Sequence, residues 1–438
     1  MQNFISDTLN MEDQNIIYSE KLIKKHYKGK LCKFYYGTLR NNIDECPFCH
    51  TENTDNQIVK NGKKVSRITI PKVSECPAYL MLSKQRYLCR ACRSYFTAKT
   101  PEINPYCHIS NNTRLAVIEK AVDVRSEVSI ARSCSVSTAT VSRFIDQTAD
   151  YLKQSPYASL PKHLMMDEFK SVKNVSGHMS FIFADAETHQ IIDVVEDRRL
   201  QSLKNYFYRF SLKDRQQVET VTIDMHEPYM TLIKKLFPNA KIIIDRFHIV
   251  QLLNRALNSI RVAVMNVFKD LNKPLYNKYK RYWKLVLKPT EDLKLYEYNK
   301  VPLFKEWKTQ KDIVTYLLDQ DDTLKETYEV INNLRHDLKH SQFDSFKQTI
   351  EQLKLSDLHP SLKTAIKTLK KHACFIEHTF NYINLTNGPI EGINNKIKLI
   401  KRTSFGYGNY NHLRNRILLC SKLYAPENKK EVKQQIAA

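Results

Sequence analysis

Apolar positions keep a different rhythm in three stretches of this chain. Between residues 108 and 152 they recur at helical spacing: Leu115, Ile118 and Val122, then Ile130 and Ala131, then Val141, Phe144 and Ile145. Recurrence every three to four residues predicts amphipathic helices. A break at Ser133–Ser135 separates the last two, and Ser137 is placed to cap the last one. From 160 to 250 short apolar runs take over. "HLMMDEF", "HMSFIFAD", "HQIIDVVED", "VETVTIDM" and "AKIIIDRF" read as strands, with turn residues between them. "LQSLKNYFYRFSL" and "EPYMTLIKKLF" read as helices, the second with Pro228 in its first turn. From 251 to 385 helical spacing returns, led by Leu252, Leu253, Leu257, Ile260 and Val264, and no strand is expected there.

The middle stretch has the order β-β-β-α-β-α-β. A three-strand meander followed by helical crossovers predicts a ribonuclease-H-like mixed sheet, in which the first strand neighbours the fourth. The expected fold class is therefore multidomain α/β, a ribonuclease-H-like mixed-sheet core with an all-helical insertion. Six segments follow: an N-terminal helical segment (1–44), a zinc-binding DNA-binding module (45–105), a helix-turn-helix (108–152), the first part of the core (160–250), the insertion (251–385) and C-terminal core helices bearing a third acid (386–425). "QSPYASLP", Gln154 to Pro161, reads as a linker. Trp283 and Trp307 fall in the insertion, where core packing is the expectation and stacking on an extruded base the alternative.

Charge narrows the function. Lys and Arg outnumber Asp and Glu by 69 to 46, a formal +23. An excess of that size costs self-repulsion in the compact state and points to a polyanionic partner, nucleic acid before membrane. No apolar run approaches the length of a membrane span, and "MQNFISDTLNMEDQN" lacks a signal-peptide pattern, so a cytoplasmic protein is expected.

Seven of the ten cysteines precede residue 110. Cys46 and Cys49 in "CPFCH", and Cys89 and Cys92 in "YLCRACRSYF", form two Cys-x-x-Cys knuckles. That spacing lets two thiolates meet one tetrahedral zinc, and two knuckles complete a four-thiolate structural site. Cys76, His50, Cys107 and His108 are possible substitute ligands.

The acids are the second chemical signal. Asp167 and Asp224 end the first and fourth strands, which the strand order makes neighbours. Two close carboxylates are unfavourable without a cation, and oxygen ligands suit Mg²⁺ or Mn²⁺. Two such ions can stabilise the attacking and leaving oxygens of phosphodiester displacement. Asp185, Asp193 and Asp197 read as solvated strand ends or caps. A sheet of this kind still lacks an acid from a late helix. Glu391 in "NGPIEGINNKIKLIKR" supplies it, although alone it reads as an acid at a helix start. Around it, Gly388 and Gly392 permit close backbone approach, and Asn394 and Asn395 offer uncharged hydrogen bonds. Lys396, Lys398, Lys401, Arg402, Arg414 and Arg416 are candidate phosphate grips. In the helix-turn-helix, Ser137, Thr138, Thr140, Ser142 and Arg143 would face the major groove; the alternative is a plain helical hairpin.

Together "CPFC…CRAC", "MMDEF", "TIDMHEPY", "DRFHIV" and "TNGPIEGINNKIKLIKRTSFGY" resemble a bacterial insertion-sequence transposase of the DDE class, akin to Mutator and hAT transposases, over nearly the whole chain. The resemblance implies a triad of Asp167, Asp224 and Glu391 holding two Mg²⁺ or Mn²⁺ ions, and one structural Zn²⁺. Asp245 and His248 match an element that follows the second acid. His248 would contact DNA or position the scissile phosphate; alternatively it is a helix-start histidine beside Asp245. The implied partners are double-stranded DNA, as terminal inverted repeats and target, and a second copy of the chain or more on DNA. A non-catalytic DNA-binding regulator and a structure-specific nuclease are the rival readings.

Overall fold

The computed structural model of the chain describes residues 2–154 and 159–422. Residues 155–158 of the expected linker, and 423–425 of the last expected segment, lie outside the described residues. The chain forms two compact units. One holds residues up to 156, 172–174 and those from 395 onward; the other holds 157–171 and 175–394.

The first unit opens with a short helix, α1 (Gln2–Leu9), followed by β1 (Ile16–Tyr27), β2 (Lys30–Leu39), β3 (Ile58–Val73), β4 (Cys76–Cys89) and β5 (Tyr95–Thr97). The strands form one sheet in the order β1-β2-β4-β3, with β5 paired to β4. This corrects the expectation of a helical segment over 1–44. Two long hairpins build the sheet, and both turn on two residues with positive φ, Lys28–Gly29 and Ser74–Glu75. Two-residue turns of that kind match the right-handed twist of paired strands. Leu39, Ile68, Ile70, Leu80 and Leu82 are fully buried beneath the sheet.

Helices α2 (Asn111–Val122), α3 (Glu127–Cys134) and α4 (Thr138–Gln154) follow. Ser110 and Ser126 cap the first two, each side chain accepting the amide three residues on. Ser135, in the left-handed region at φ 57°, ends α3 and allows the tight turn into α4. Val117, Ala121, Ile130, Val141 and Ile145 form their common core.

The second unit carries β6 (His163–Lys170), β7 (Met179–Asp185), β8 (Ile191–Val195), α5 (Leu200–Phe207), α6 (Leu212–Gln216), β9 (Thr220–Ile223), α7 (Glu227–Leu236) and β10 (Lys241–Ile244). Strand order is β10-β9-β6-β7-β8. β6, β9 and β10 run parallel, and β7 and β8 return antiparallel. The first strand of this group therefore pairs with the fourth. The single helix expected after β8 is two, because Ser211 breaks it and caps α6.

Next come α8 (Arg246–Leu271), α9 (Lys273–Val286), β11 (Asn299–Val301), β12 (Glu306–Lys308), α10 (Gln310–Leu318), α11 (Asp322–His340), α12 (Phe343–Gln352), α13 (Pro360–Lys371) and α14 (Ala373–Asn381). The block is helical except for the β11–β12 hairpin, which was not expected. Trp307 sits on that hairpin opposite Lys300 and is 67% exposed; Trp283 is 39% exposed. The expectation of core burial fails for both: Trp307 is mostly exposed and Trp283 partly so. One hydrophobic core runs from the sheet into the helical block. Its last helix covers the sheet edge: Thr379 donates to the Ile244 carbonyl at 2.7 Å, and His378 Nδ1 lies 2.9 Å from the Ile242 carbonyl. The described residues close with α15 (Gly388–Thr403), which begins in this unit, and α16 (Tyr410–Lys422) in the first.

Candidate active site

Asp167 lies on β6 and Asp224 directly follows β9. The parallel pairing runs His163↔Thr220 through Met165↔Thr222, so the same register carried two residues on sets Asp167 beside Asp224. Burial raises the Asp167 carboxyl to about 6, and the Asp224 charge adds to the rise. His248, on the first turn of α8, places Nε2 2.8 Å from Asp224 Oδ1. That contact raises the His248 pKa against the effect of burial. The Asp224 carboxylate thus favours the charged form of the imidazole beside it. Burial also raises Asp245, with the charges of Asp224 and Glu391 acting in the same direction against the Asn387 amide and His248.

α15 carries Glu391, the expected third acid. Asn387 precedes its first turn, and residues 387, 391 and 394 fall four and three apart, on one helix face. The two flanking amides reach the sheet. Asn394 Nδ2 donates to Asp167 Oδ2 at 2.6 Å and to the Glu168 carbonyl at 3.3 Å. Asn387 Nδ2 donates to the Met166 carbonyl at 3.2 Å and to Asp224 Oδ1 at 3.5 Å. Glu391 lies between them and is exposed. The expected closeness of backbone at Gly392 is not found: a side chain there would meet nothing within 4 Å, and at Gly388 only Thr386 Oγ1 at an ordinary contact distance.

The donor set suits a hard divalent cation, which takes carboxylate oxygens and keeps waters. Both Asn387 Oδ1 and Asn394 Oδ1 are buried without a hydrogen-bond partner. Orphaned acceptors of this kind call for a water or an ion. The three acids do not, however, draw together into a tight cluster. Among the described residues, the groups of three or more candidate ligands with atoms within 4.8 Å of one another are the four knuckle cysteines and a Glu291–His336–His340 set.

Beside Asp167 and Asp224 opens a cavity of about 330 Å³, floored by Phe181, Leu203, Phe207 and Leu236. At its rim Glu168 accepts hydrogen bonds from both Arg198 and Tyr229. Arg198 and Tyr229 escaped sequence reasoning because they come from separate loops and helices; no local spacing links them to Glu168. Asp185 and Asp197 have the local roles expected of them, accepting from Thr188 and Ser202 respectively, whereas Asp193 lies in the middle of β8 and accepts from Tyr206 of α5.

In the first unit the two knuckles are built alike. Cys46 N donates to the Thr51 carbonyl and Cys89 N to the Ser94 carbonyl, each at 3.0 Å. His50 and Arg93, next after the second cysteine of each knuckle, both take positive φ. Cys46 and Cys92 sulfurs are 3.7 Å apart, and Cys49 and Cys89 sulfurs 3.8 Å. A tetrahedron with zinc–sulfur bonds near 2.3 Å sets its sulfurs about 3.8 Å apart. Hydrogen bonds from Thr51 hold the Cys49 thiol down at about 6, in the thiolate form a metal requires. None of Cys76, His50, Cys107 and His108 joins the set.

The proposed DNA-facing residues divide. Ser137, Thr138 and Arg143 are exposed, while Ser137 and Thr140 also bond each other at 2.9 Å as the cap of α4. Ser142 turns to Glu127 instead of outward. Lys398 and Arg402 are exposed; Lys401 and Arg414 are half-buried. Lys396 donates to the Cys420 carbonyl at 2.8 Å. Arg416 is no phosphate grip: it is 1% exposed and donates to the carbonyls of Asp123 and Arg125.

A family model described as Transposase (DDE_Tnp_ISL3) matches residues 164–417, more than half of the chain. The chain belongs to the ISL3 transposase family. Its relatives include a transposase for insertion sequence element IS1001 from Bordetella parapertussis, 24% identical over 361 residues, covering 79% of this chain and 83% of that protein. A protein named ATP-dependent protease from Lactococcus lactis subsp. lactis is 26% identical over 111 residues, 25% of this chain and 35% of that protein. Membership of the ISL3 transposases implies DNA binding and divalent-metal chemistry. Among the described residues no helix is long and apolar enough to cross a membrane.

Proposed function

We propose that this ISL3-family chain is a DDE transposase that binds the terminal inverted repeats of an insertion sequence, then cuts and joins DNA strands on a ribonuclease-H-like core with a helical insertion. The observation that carries the reading is the face of α15: Asn387 and Asn394 hydrogen-bond to Asp224 and Asp167, with Glu391 between them. Asp167, Asp224 and Glu391 would hold the divalent ions, which when bound neutralise charge on the attacking and leaving oxygens. His248, 2.8 Å from Asp224, contacts DNA or positions the scissile phosphate. Asn394 and Asn387 fix the rotamers of the two sheet acids. The four knuckle cysteines hold a structural zinc. Ser137, which caps α4 by accepting the Thr140 amide, reads the repeat with Thr138, Thr140 and Arg143; Lys396, Lys398, Lys401, Arg402 and Arg414 contact phosphates. Two ends must meet, so the working species is a dimer or larger on DNA.

A strand-transfer assay with pre-cut ends in Mg²⁺ or Mn²⁺ tests this. Wild type joins the ends, whereas Asp224→Ala and Glu391→Gln bind them in a gel-shift assay and do not join them. Wild type that binds ends and never joins them overturns the reading. The exposed position of Glu391, outside any tight carboxylate cluster, favours the second reading, a non-catalytic DNA-binding regulator, and that result would establish it.

A further inference from the structure

We infer that the helical block of the second unit carries a second transition-metal site, formed by Glu291, His336 and His340, for a zinc-class divalent ion. His336 and His340 stand four residues apart on α11, with ring centroids 4.3 Å apart. Helical neighbours at that spacing share one face. Glu291 comes from a short helical turn, Thr290–Asp292, more than forty residues earlier. Its Oε1 lies 3.7 Å from Nε2 of both histidines. Zinc–nitrogen and zinc–oxygen bonds near 2.0–2.1 Å put the ligand atoms of a tetrahedron about 3.3 Å apart. The two carboxylate–imidazole distances are a few tenths of an ångström from that spacing, and one ligand atom from each of the three side chains lies within 4.8 Å of the others.

The contact is built by the fold and does not depend on a chance encounter of long side chains. Asn332 lies one turn before His336 on the same face of α11, and its Oδ1 accepts the Thr290 amide at 3.1 Å. Thr290 Oγ1 donates to Tyr328 OH at 3.1 Å, one turn earlier still. The residue before Glu291 is thus pinned twice to the helix that carries the histidines. Pinning of this kind removes most of the ordering cost of binding. Two imidazoles and a carboxylate, with a fourth position open to solvent, match the ligand types zinc takes. Lys339 competes, with Nζ 2.5 Å from Glu291 Oε2. It engages the oxygen that the histidines do not face. A bound ion would join the turn to α11 as a cross-link within the insertion.

The test is a zinc titration of the full chain with its knuckle site already loaded, followed by calorimetry. Wild type takes up one zinc equivalent that the His336→Ala/His340→Ala double variant lacks. Uptake at the catalytic acids is common to both proteins and cancels in the difference. Glu291→Ala weakens that equivalent. Lys339→Ala strengthens it, because it removes a positive charge and frees the carboxylate. All four positions are solvent-accessible, and far-UV circular dichroism checks that each variant is folded. Equal zinc stoichiometry in wild type and the double variant overturns the inference, as does a Lys339→Ala variant that binds more weakly.

Discussion

At the scale of single residues, the site holds energy that a bound cation would release. Asp167 is raised from its ordinary value near 3.8 to about 6, first by burial and then by Asp224. A carboxyl with a raised folded pKa contributes stability below pH 3.8 and loses it as the pH climbs through 6. At neutral pH the ionised, buried Asp167 beside Asp224 therefore costs the fold up to about 3 kcal/mol, at 1.36 kcal/mol per unit. Asp167→Asn removes that cost. In metal-free buffer at pH 7.5 its melting temperature should exceed wild type's, and Mg²⁺ should raise wild type's but not the variant's. An equal or lower metal-free melting temperature would show that ionised Asp167 carries no such cost. Asn394 tests the same acids from the helix side. Its 2.6 Å bond stabilises the Asp167 anion, and hydrogen bonds to charged groups are worth about 1.5–3 kcal/mol. Asn394→Ala should slow strand cleavage roughly 10- to 100-fold, and its pH profile should move to the alkaline side. A slowed variant with an unmoved profile would assign Asn394 a packing role alone.

At the scale of elements, His412 is one of the residues that tie α16 to the preceding helices. His412 lies 2.6 Å from Glu127 of α3 and 2.9 Å from Asp146 of α4. Burial opposes its charge, but the two carboxylates win and lift its pKa to about 9. The stabilisation is complete below pH 6.5 and is lost as the pH rises through 9. Allowing for solvent screening, it is worth at most about 2 kcal/mol. His412→Gln should lower the melting temperature at pH 6.5 and have little effect at pH 10, a dependence that calorimetry across that range would reveal or refute. None of these contacts was legible in the sequence, where His412 and Glu127 are 285 positions apart. What was legible had local physical causes. β6, β9 and β10 are buried and parallel, so each reads as a short apolar run with an acid behind it. β1 is the opposite case. Most of its length faces solvent, and lysines overwrite the alternation that marks a strand. Its only clear signal was the Lys28–Gly29 turn. Asn387, Glu391 and Asn394 carried a readable helical spacing, but which acids their amides would meet depended on how α15 approaches the sheet.

At the scale of the whole molecule, the net charge of +23 sets how the chain meets DNA. Neutralising Z phosphates releases counterions, so the logarithm of affinity falls with the logarithm of salt at a slope near −0.9Z. If Arg143, Lys398 and Arg402 contact phosphates, each Ala substitution should make that slope shallower by about one and weaken repeat and scrambled DNA alike. Ser137 and Thr138 carry no charge. Replacing both should leave the slope unchanged and erode only the preference for repeat ends, by about 1–3 kcal/mol per lost base contact. The two classes of variant separate non-specific grip from recognition in a single fluorescence-anisotropy titration over salt. Trp283 and Trp307 add a second readout, because the chain's only two tryptophans lie in the helical block and are partly exposed. Quenching of their emission by repeat DNA would place the block against the duplex, and an unchanged spectrum would leave the grip to α4 and the basic turns of α15. A salt slope that stays flat for every basic substitution would mean that these residues do not carry the binding.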